Sequence, residues 1–192
     1  LFIKNGKSAN TIAIVSTLGT LVAAIVLAGN GAVDFNAPWI PVLHAQFFLH
    51  ADGLAKILVL LTAISFPAII IATSQNQPKQ KNIFLSLLLF AQNGLMGVFL
   101  AGDALLFYFF WELALIPVYF LSSIWGGEKR IAVTFKFFIY TFLGSLMMLI
   151  GIVFVYMHTS DQSFLITSFA KANLTAGLQV TAFALFFIAF AI

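Results

Sequence analysis

Glu112 is the residue of this chain best placed to do chemistry. It lies in LLFYFFWELALIPVYFLSSIW, Leu105–Trp125, a stretch long enough to cross a bilayer in which it is the only formally charged side chain. With a rise of about 1.5 Å per residue, it sits roughly 12 Å inside a helix starting near Ala104. A charged group at such depth costs on the order of 3 kcal/mol, and ionisable residues there typically mark ion and proton pathways. Pro117 follows five residues later; without an N–H it frees the carbonyl of Leu113, the neighbour of the acid. The phenols of Tyr108 and Tyr119 complete a small polar set able to bind and release a proton within the membrane. The alternative is a glutamate that only hydrogen-bonds to a neighbouring helix.

Lys136 is the second candidate, one turn or so inside the next apolar run. Either its long stem carries the ammonium back to the interface, or it turns inward as a charge partner or relay for Glu112; both readings stay open. His44 and His50 invite a metal, but no third ligand stands near them, and solvated loop histidines are the expectation. No metal site is expected.

The elements that must position these residues are apolar helices. Of the 192 residues, 62% are hydrophobic and 8% charged, with 23 phenylalanines and a mean hydropathy of +1.08. A soluble domain is nearer half apolar and a quarter charged, so the sequence predicts an all-α integral membrane protein, a polytopic helix bundle. The net charge of +3 comes from basic residues scattered over short loops and gives no basic surface for nucleic acid. The absence of cysteine excludes thiolate-held iron–sulfur clusters and disulfides. Any electron chemistry belongs to other chains, and no cofactor is expected in this one.

Six spans are expected, at about 9–28, 54–73, 83–101, 104–124, 131–156 and 175–192, the sixth truncated, all in one membrane domain over 1–192. Leu1 and Ile192 both look like cut ends, and the chain reads as a piece of a longer protein. The stretch Gly29–Gly53 holds Pro38, Trp39 and Pro41 and breaks the helices; VLHAQFFLH within it suits a short hairpin or interfacial segment. Asp52-Gly53 reads as a cap, Pro67 as a kink in the second span, and SQNQPKQKN as a polar loop. Gly94 and Gly97 allow close helix approach, while Gln92 and Asn93 are expected to join a buried hydrogen-bond network. Gly102-Asp103 is a tight turn with Asp103 as N-cap of the Glu112 helix. The segment Met157–Leu174 reads as a polar loop with one amphipathic turn.

Lys4, Lys7, Lys79, Lys81, Lys129 and Arg130 fall in loops on one side. The opposite loops contribute only Lys171, with Lys56 at a span edge, so the Lys79 side is expected to face the cytoplasm.

The run Leu95–Phe154 carries FFWELALIPVYFL and, at Lys136–Thr141, KFFIYT. On these motifs the chain resembles the chain-M type subunit of respiratory complex I, NADH dehydrogenase subunit 4. WIP at Trp39–Pro41 and ADGL at Ala51–Leu54 extend the resemblance, which is weakest over Leu1–Asn36. It implies an antiporter-like fold of about fourteen helices with two inverted repeats, each with a broken helix, of which this chain holds the start. The family's intramembrane glutamate falls on Glu112 and a lysine of the following span on Lys136; its central lysine is expected just after Ile192. The implied function is proton translocation as a membrane subunit of NADH:quinone oxidoreductase, an enzyme complex whose redox centres lie in partner subunits. The alternative is the related subunit of a multisubunit cation/proton antiporter or membrane-bound hydrogenase. Partners would be the lipid bilayer and other membrane subunits of complex I, and the location the cell inner (plasma) membrane, crossed several times.

Overall fold

A computed structural model describes residues 6–74 and 78–192. Seven helices and one hairpin follow in the order α1 (Gly6–Gly29), β1 (Val33–Ile40), β2 (Ala45–Ala51), α2 (Gly53–Ser74), α3 (Lys81–Leu100), α4 (Ala104–Trp125), α5 (Arg130–Tyr156), α6 (Ile166–Ala170) and α7 (Ala176–Ala191). Helices α1–α5 are long and apolar enough to cross a membrane. The protein is an integral membrane helix bundle. α7, at 16 residues, spans roughly 24 Å, short of a hydrocarbon core of about 30 Å. Lys4 of the basic-side tally lies outside the described residues, as does part of the SQNQPKQKN loop.

Buried in an apolar medium, each backbone amide must find its partner inside its own segment, which the helix provides. The hydroxyls scattered along these helices are satisfied the same way. Thr17, Thr62, Thr73 and Thr141 each donate to the carbonyl four residues earlier, at 2.8–3.0 Å. A threonine in these runs therefore needs no partner on another helix.

α1, α2 and α3 close around two layers. One holds Ala13, Phe66, Ile70, Leu85 and Leu88; the other holds Ala24, Val59 and Ala63 with Met96 and Phe99 packed on it. α4, α5 and α7 enclose a third cluster of Ala104, Met148, Ile152 and Phe164, capped by Ala45 of the hairpin. The seam between the halves runs along α3 and α4. A Cβ placed on Gly94 would meet the Ala114 backbone at 2.7 Å, and one on Gly97 the Phe110 ring. The close approach expected of these two glycines is thus what joins the halves.

Two expectations meet different outcomes. The stretch after α1 forms the short hairpin expected there, antiparallel, with Val33 opposite Ala51 and Pro38 opposite Gln46, a small β element within the helix bundle. Pro38 fits because the strand is an edge, and His44 takes the left-handed conformation (φ 54°) in the connecting turn. The second concerns the amides. Gln92 is buried with its Nε2 unpartnered among the described residues, but Asn93 faces outward, one helical step of about 100° away. They share no network.

Both caps form as expected. The Asp52 carboxylate accepts from Ala55 N–H at 2.7 Å, and Asp103 accepts from the N–H groups of Leu105 and Leu106. Lys56, ambiguous in the charge tally, donates to the carbonyls of Asn30 and Gly31, both at 2.7 Å, and so belongs to the hairpin end of the bundle. The Met157–Leu174 segment contains the five-residue helix α6.

Candidate functional site

Helix α4 is pinned at both ends. At the hairpin end Asp103 caps it; at the other, the Trp125 indole donates to the Lys79 carbonyl at 2.8 Å and its ring meets that of Phe84 edge to face at 5.1 Å. Glu112 is the ninth residue of this 22-residue helix, roughly 12 Å from the hairpin end and 20 Å from the other. Its Oε1 is buried and has no hydrogen-bond partner among the described residues. Pro117, wholly buried, follows on the same helix.

Three helices converge at the depth of Glu112. Tyr108 of α4 lies near Ser145 of α5 and one helical turn from Glu112. Nearer the basic end, the Tyr119 and Phe138 rings lie 5.1 Å apart. Between these two contacts, the residues of α5 level with Glu112 are Thr141 to Ser145. On α7, Phe190 meets Trp111 edge to face at 5.8 Å. A Cβ on Gly144 would come within 2.8 Å of the Ala189 carbonyl oxygen. The orphaned carboxylate oxygen thus stands where the end of α7 reaches α4 and α5.

Lys136 is not part of this convergence. It stands on an exposed part of α5, among Phe135, Phe137, Ile139 and Tyr140, all exposed. It lies roughly 10 Å nearer the basic end than the residues level with Glu112. Among the described residues the one ion pair is His50–Asp34 at 2.6 Å, at the hairpin; Glu112 and Lys136 are not joined. His44 contacts the Gln162 carbonyl at 3.3 Å. Tyr119 points its ring to Phe138 and Phe120, so of the two phenols singled out in the sequence it is Tyr108 that associates with the acid. Ser145, almost fully buried, carries no sequence signal that separates it from other helix serines.

A family model described as NADH:quinone oxidoreductase/Mrp antiporter, transmembrane, matches residues 101–192. F(420)H(2) dehydrogenase subunit M of Methanosarcina mazei is 42% identical over 61% of this chain and 24% of its own length. NADH-quinone oxidoreductase subunit M of Rhodobacter capsulatus is 36% identical over 97% of this chain and 39% of its own. The chain therefore spans well under half the length of these relatives. Among solved structures, a chain of respiratory complex I from Thermus thermophilus superposes with a TM-score of 0.87 at 26% identity, over 95% of this chain and 39% of that one. A chain of the Mrp complex from Dietzia shares the fold, with a TM-score of 0.82 at 22% identity over 97% and 36% of the two chains. Residues 101–192 thus carry the membrane segment of the NADH:quinone oxidoreductase/Mrp antiporter family, and the chain along nearly its whole length is similar to subunit M of NADH-quinone oxidoreductases.

Proposed function

We propose that this chain belongs to a proton-translocating membrane subunit of an NADH:quinone oxidoreductase, with Glu112 as the group that takes up and releases the proton. The observation that carries the reading is the buried, unpartnered Oε1 of Glu112 at the depth where α4, α5 and α7 meet. An ammonium brought to about 4 Å of a carboxylate favours its ionised form by roughly 4 kcal/mol at an effective dielectric near 20. Approach of a lysine therefore expels a proton from the acid, and its withdrawal reloads it. Redox chemistry in partner subunits supplies the drive, and the basic end faces the cytoplasm of an inner-membrane complex.

Lys136 acts as a relay rather than as the direct partner, because its depth differs. The direct partner in this reading follows Ile192. α7 runs antiparallel to α5 and reaches Gly144 at Ala189, so the next helical positions stand level with Glu112. A lysine there, as the family resemblance implies, approaches and leaves the carboxylate by its own movement while α4 stays fixed.

The test is Glu112→Gln in the full-length subunit within its membrane complex. Pumping is expected to fall by about a hundredfold or more, the range for loss of a general acid–base group, while assembly and electron transfer persist. Glu112→Asp, a shorter acid, is expected to lose less. Native pumping by an assembled Glu112→Gln complex returns the residue to a packing role. The second reading, a cation/proton antiporter or hydrogenase subunit, draws on the fold shared with the Mrp chain. Subunits co-purifying with the full-length protein decide between the two.

A further inference from the structure

The three residues before α4, Ala101–Asp103, do more than end a loop. Ala101 bridges to Leu49 of β2, and Asp103 to Leu165 ahead of α6. Gly102 donates to the Phe48 carbonyl at 2.8 Å and accepts from Ile166 at 3.0 Å, while Ala104 donates to Phe164 at 2.8 Å. The entrance to α4 is thus woven between the hairpin and the segment that follows α5.

Asp103 sits at the centre of this weave with no solvent exposure. Its Oδ1 accepts from Leu105 and Leu106 at 2.9 and 3.1 Å. Those two bonds make an ordinary N-cap, which a serine or asparagine also makes. Its Oδ2 accepts from the backbone N–H of Gln46, 57 positions earlier in the chain, at 3.0 Å. Only a carboxylate offers an acceptor oxygen to both directions at once. Burying that charge is costly unless its hydrogen bonds are all made, and here one oxygen serves the helix and the other the hairpin.

We propose that Asp103 is a positioning residue for Glu112: its tether to Gln46 fixes the depth of α4 against the hairpin. The proposal rests on the reading of Glu112 as the proton site. Glu112 lies nine residues beyond the tether, roughly 13 Å along a continuous helix, so a slip at the cap is carried to the acid undiminished. Trp125 and Lys79 hold the far end of α4, and the Asp103 tether leaves no free translation between them.

Two variants of the full-length subunit cut the tether from opposite sides. Gln46→Pro removes the N–H that goes to Asp103, together with the side-chain oxygen that accepts from Asn36 at 2.7 Å; Gln46→Ala, which loses the side-chain bond and keeps the N–H, is its control and should couple as the native complex does. Asp103→Ser keeps the cap but cannot reach Gln46. Both complexes are expected to assemble and transfer electrons. The protons moved per electron should drop by at least half of the loss that Glu112→Gln produces. The double variant should be no worse than either single one, because there is one contact to lose. Native coupling in either assembled variant overturns the proposal, as do additive losses. Failure of both to assemble reduces the contact to a folding role and also overturns it. If Glu112→Gln itself pumps normally, the proton-site reading fails, and the positioning role fails with it. The same cycle in thermal stability then reports separately whether the tether exists.

Discussion

Gly94 and Ala114 meet backbone to backbone: a methyl group on Gly94 would lie 2.7 Å from the Ala114 Cα. One turn along, the Phe110 ring fills the space a Gly97 side chain would take. Since lipid offers helices no hydrophobic drive to associate, such small-residue approaches are what hold them together. Gly94→Val is expected to force α3 and α4 apart at a cost of about 1–3 kcal/mol. Yield of assembled complex and its unfolding temperature in detergent should both fall. A methyl group on Gly19 of α1 would have nothing within 4 Å, and Gly19→Ala should behave as native. Equal effects from the two substitutions would mean that this seam does not hold the halves together.

Sidedness can be read with single cysteines, because the sequence has none of its own. Cysteine replacing Gln80 or Gly127 should react with a membrane-impermeant reagent from the cytoplasmic face. Cysteine replacing Val42, 91% exposed at the hairpin turn, should react only from the other face. Val42 and Gly127 labelling from one side would break the assigned span order.

The spans are legible in the sequence because apolar runs of about twenty residues have one stable form in lipid. So is the cap, since an aspartate after glycine at a helix start has few other uses. The tether is not legible. Its donor is the backbone N–H of Gln46, and a backbone donor leaves no mark on residue identity. Asn93 illustrates a different limit. When every face of a helix is apolar, hydropathy does not say which face turns inward, so two adjacent amides look like one network. Glu112 stands out by its depth alone. Tyr108 and Tyr119 carry the same phenol, but Tyr108 stands four residues before the acid on the same helix face and Tyr119 seven after it, a distinction the helical spacing already contains. The choice between an inward and an outward Lys136 depends instead on which face of α5 is exposed, and hydropathy does not give that face.

Asp103 makes stability depend on pH. Burial pushes its carboxyl above the ordinary value of 3.8, against the three N–H groups that favour the carboxylate. The folded state then holds the proton more tightly than the unfolded one, so stability falls as pH rises from about 3.8 through the raised value. Asp103→Asn cannot titrate. The advantage in unfolding temperature of the native protein over this variant should therefore shrink from about pH 4 toward neutrality. An advantage that grows with pH would mean the N–H groups outweigh burial.

The offset between Glu112 and Lys136 gives the last prediction. Thr141–Ser145 are the α5 residues level with Glu112, and Lys136 stands roughly 10 Å closer to the basic end on a face that α4 does not cover. That axial offset is the least their separation can be, so in a medium of dielectric near 20 the pair interacts by at most about 1.7 kcal/mol, against about 4 kcal/mol at 4 Å. Lys136→Ala should accordingly reduce pumping less than Glu112→Gln does. Moving the charge makes the sharper test. In the double variant Lys136→Ala, Thr141→Lys, the ammonium starts five residues further along α5, at the depth of the acid. There it should hold Glu112 permanently ionised. The charge count is unchanged, yet pumping should fall to the level of Glu112→Gln with assembly preserved, because a site that cannot reload carries no protons. Pumping by the relocated-lysine complex at or above the Lys136→Ala level would show that depth along α5 does not govern the acid, and the relay assignment of Lys136 would have to be abandoned.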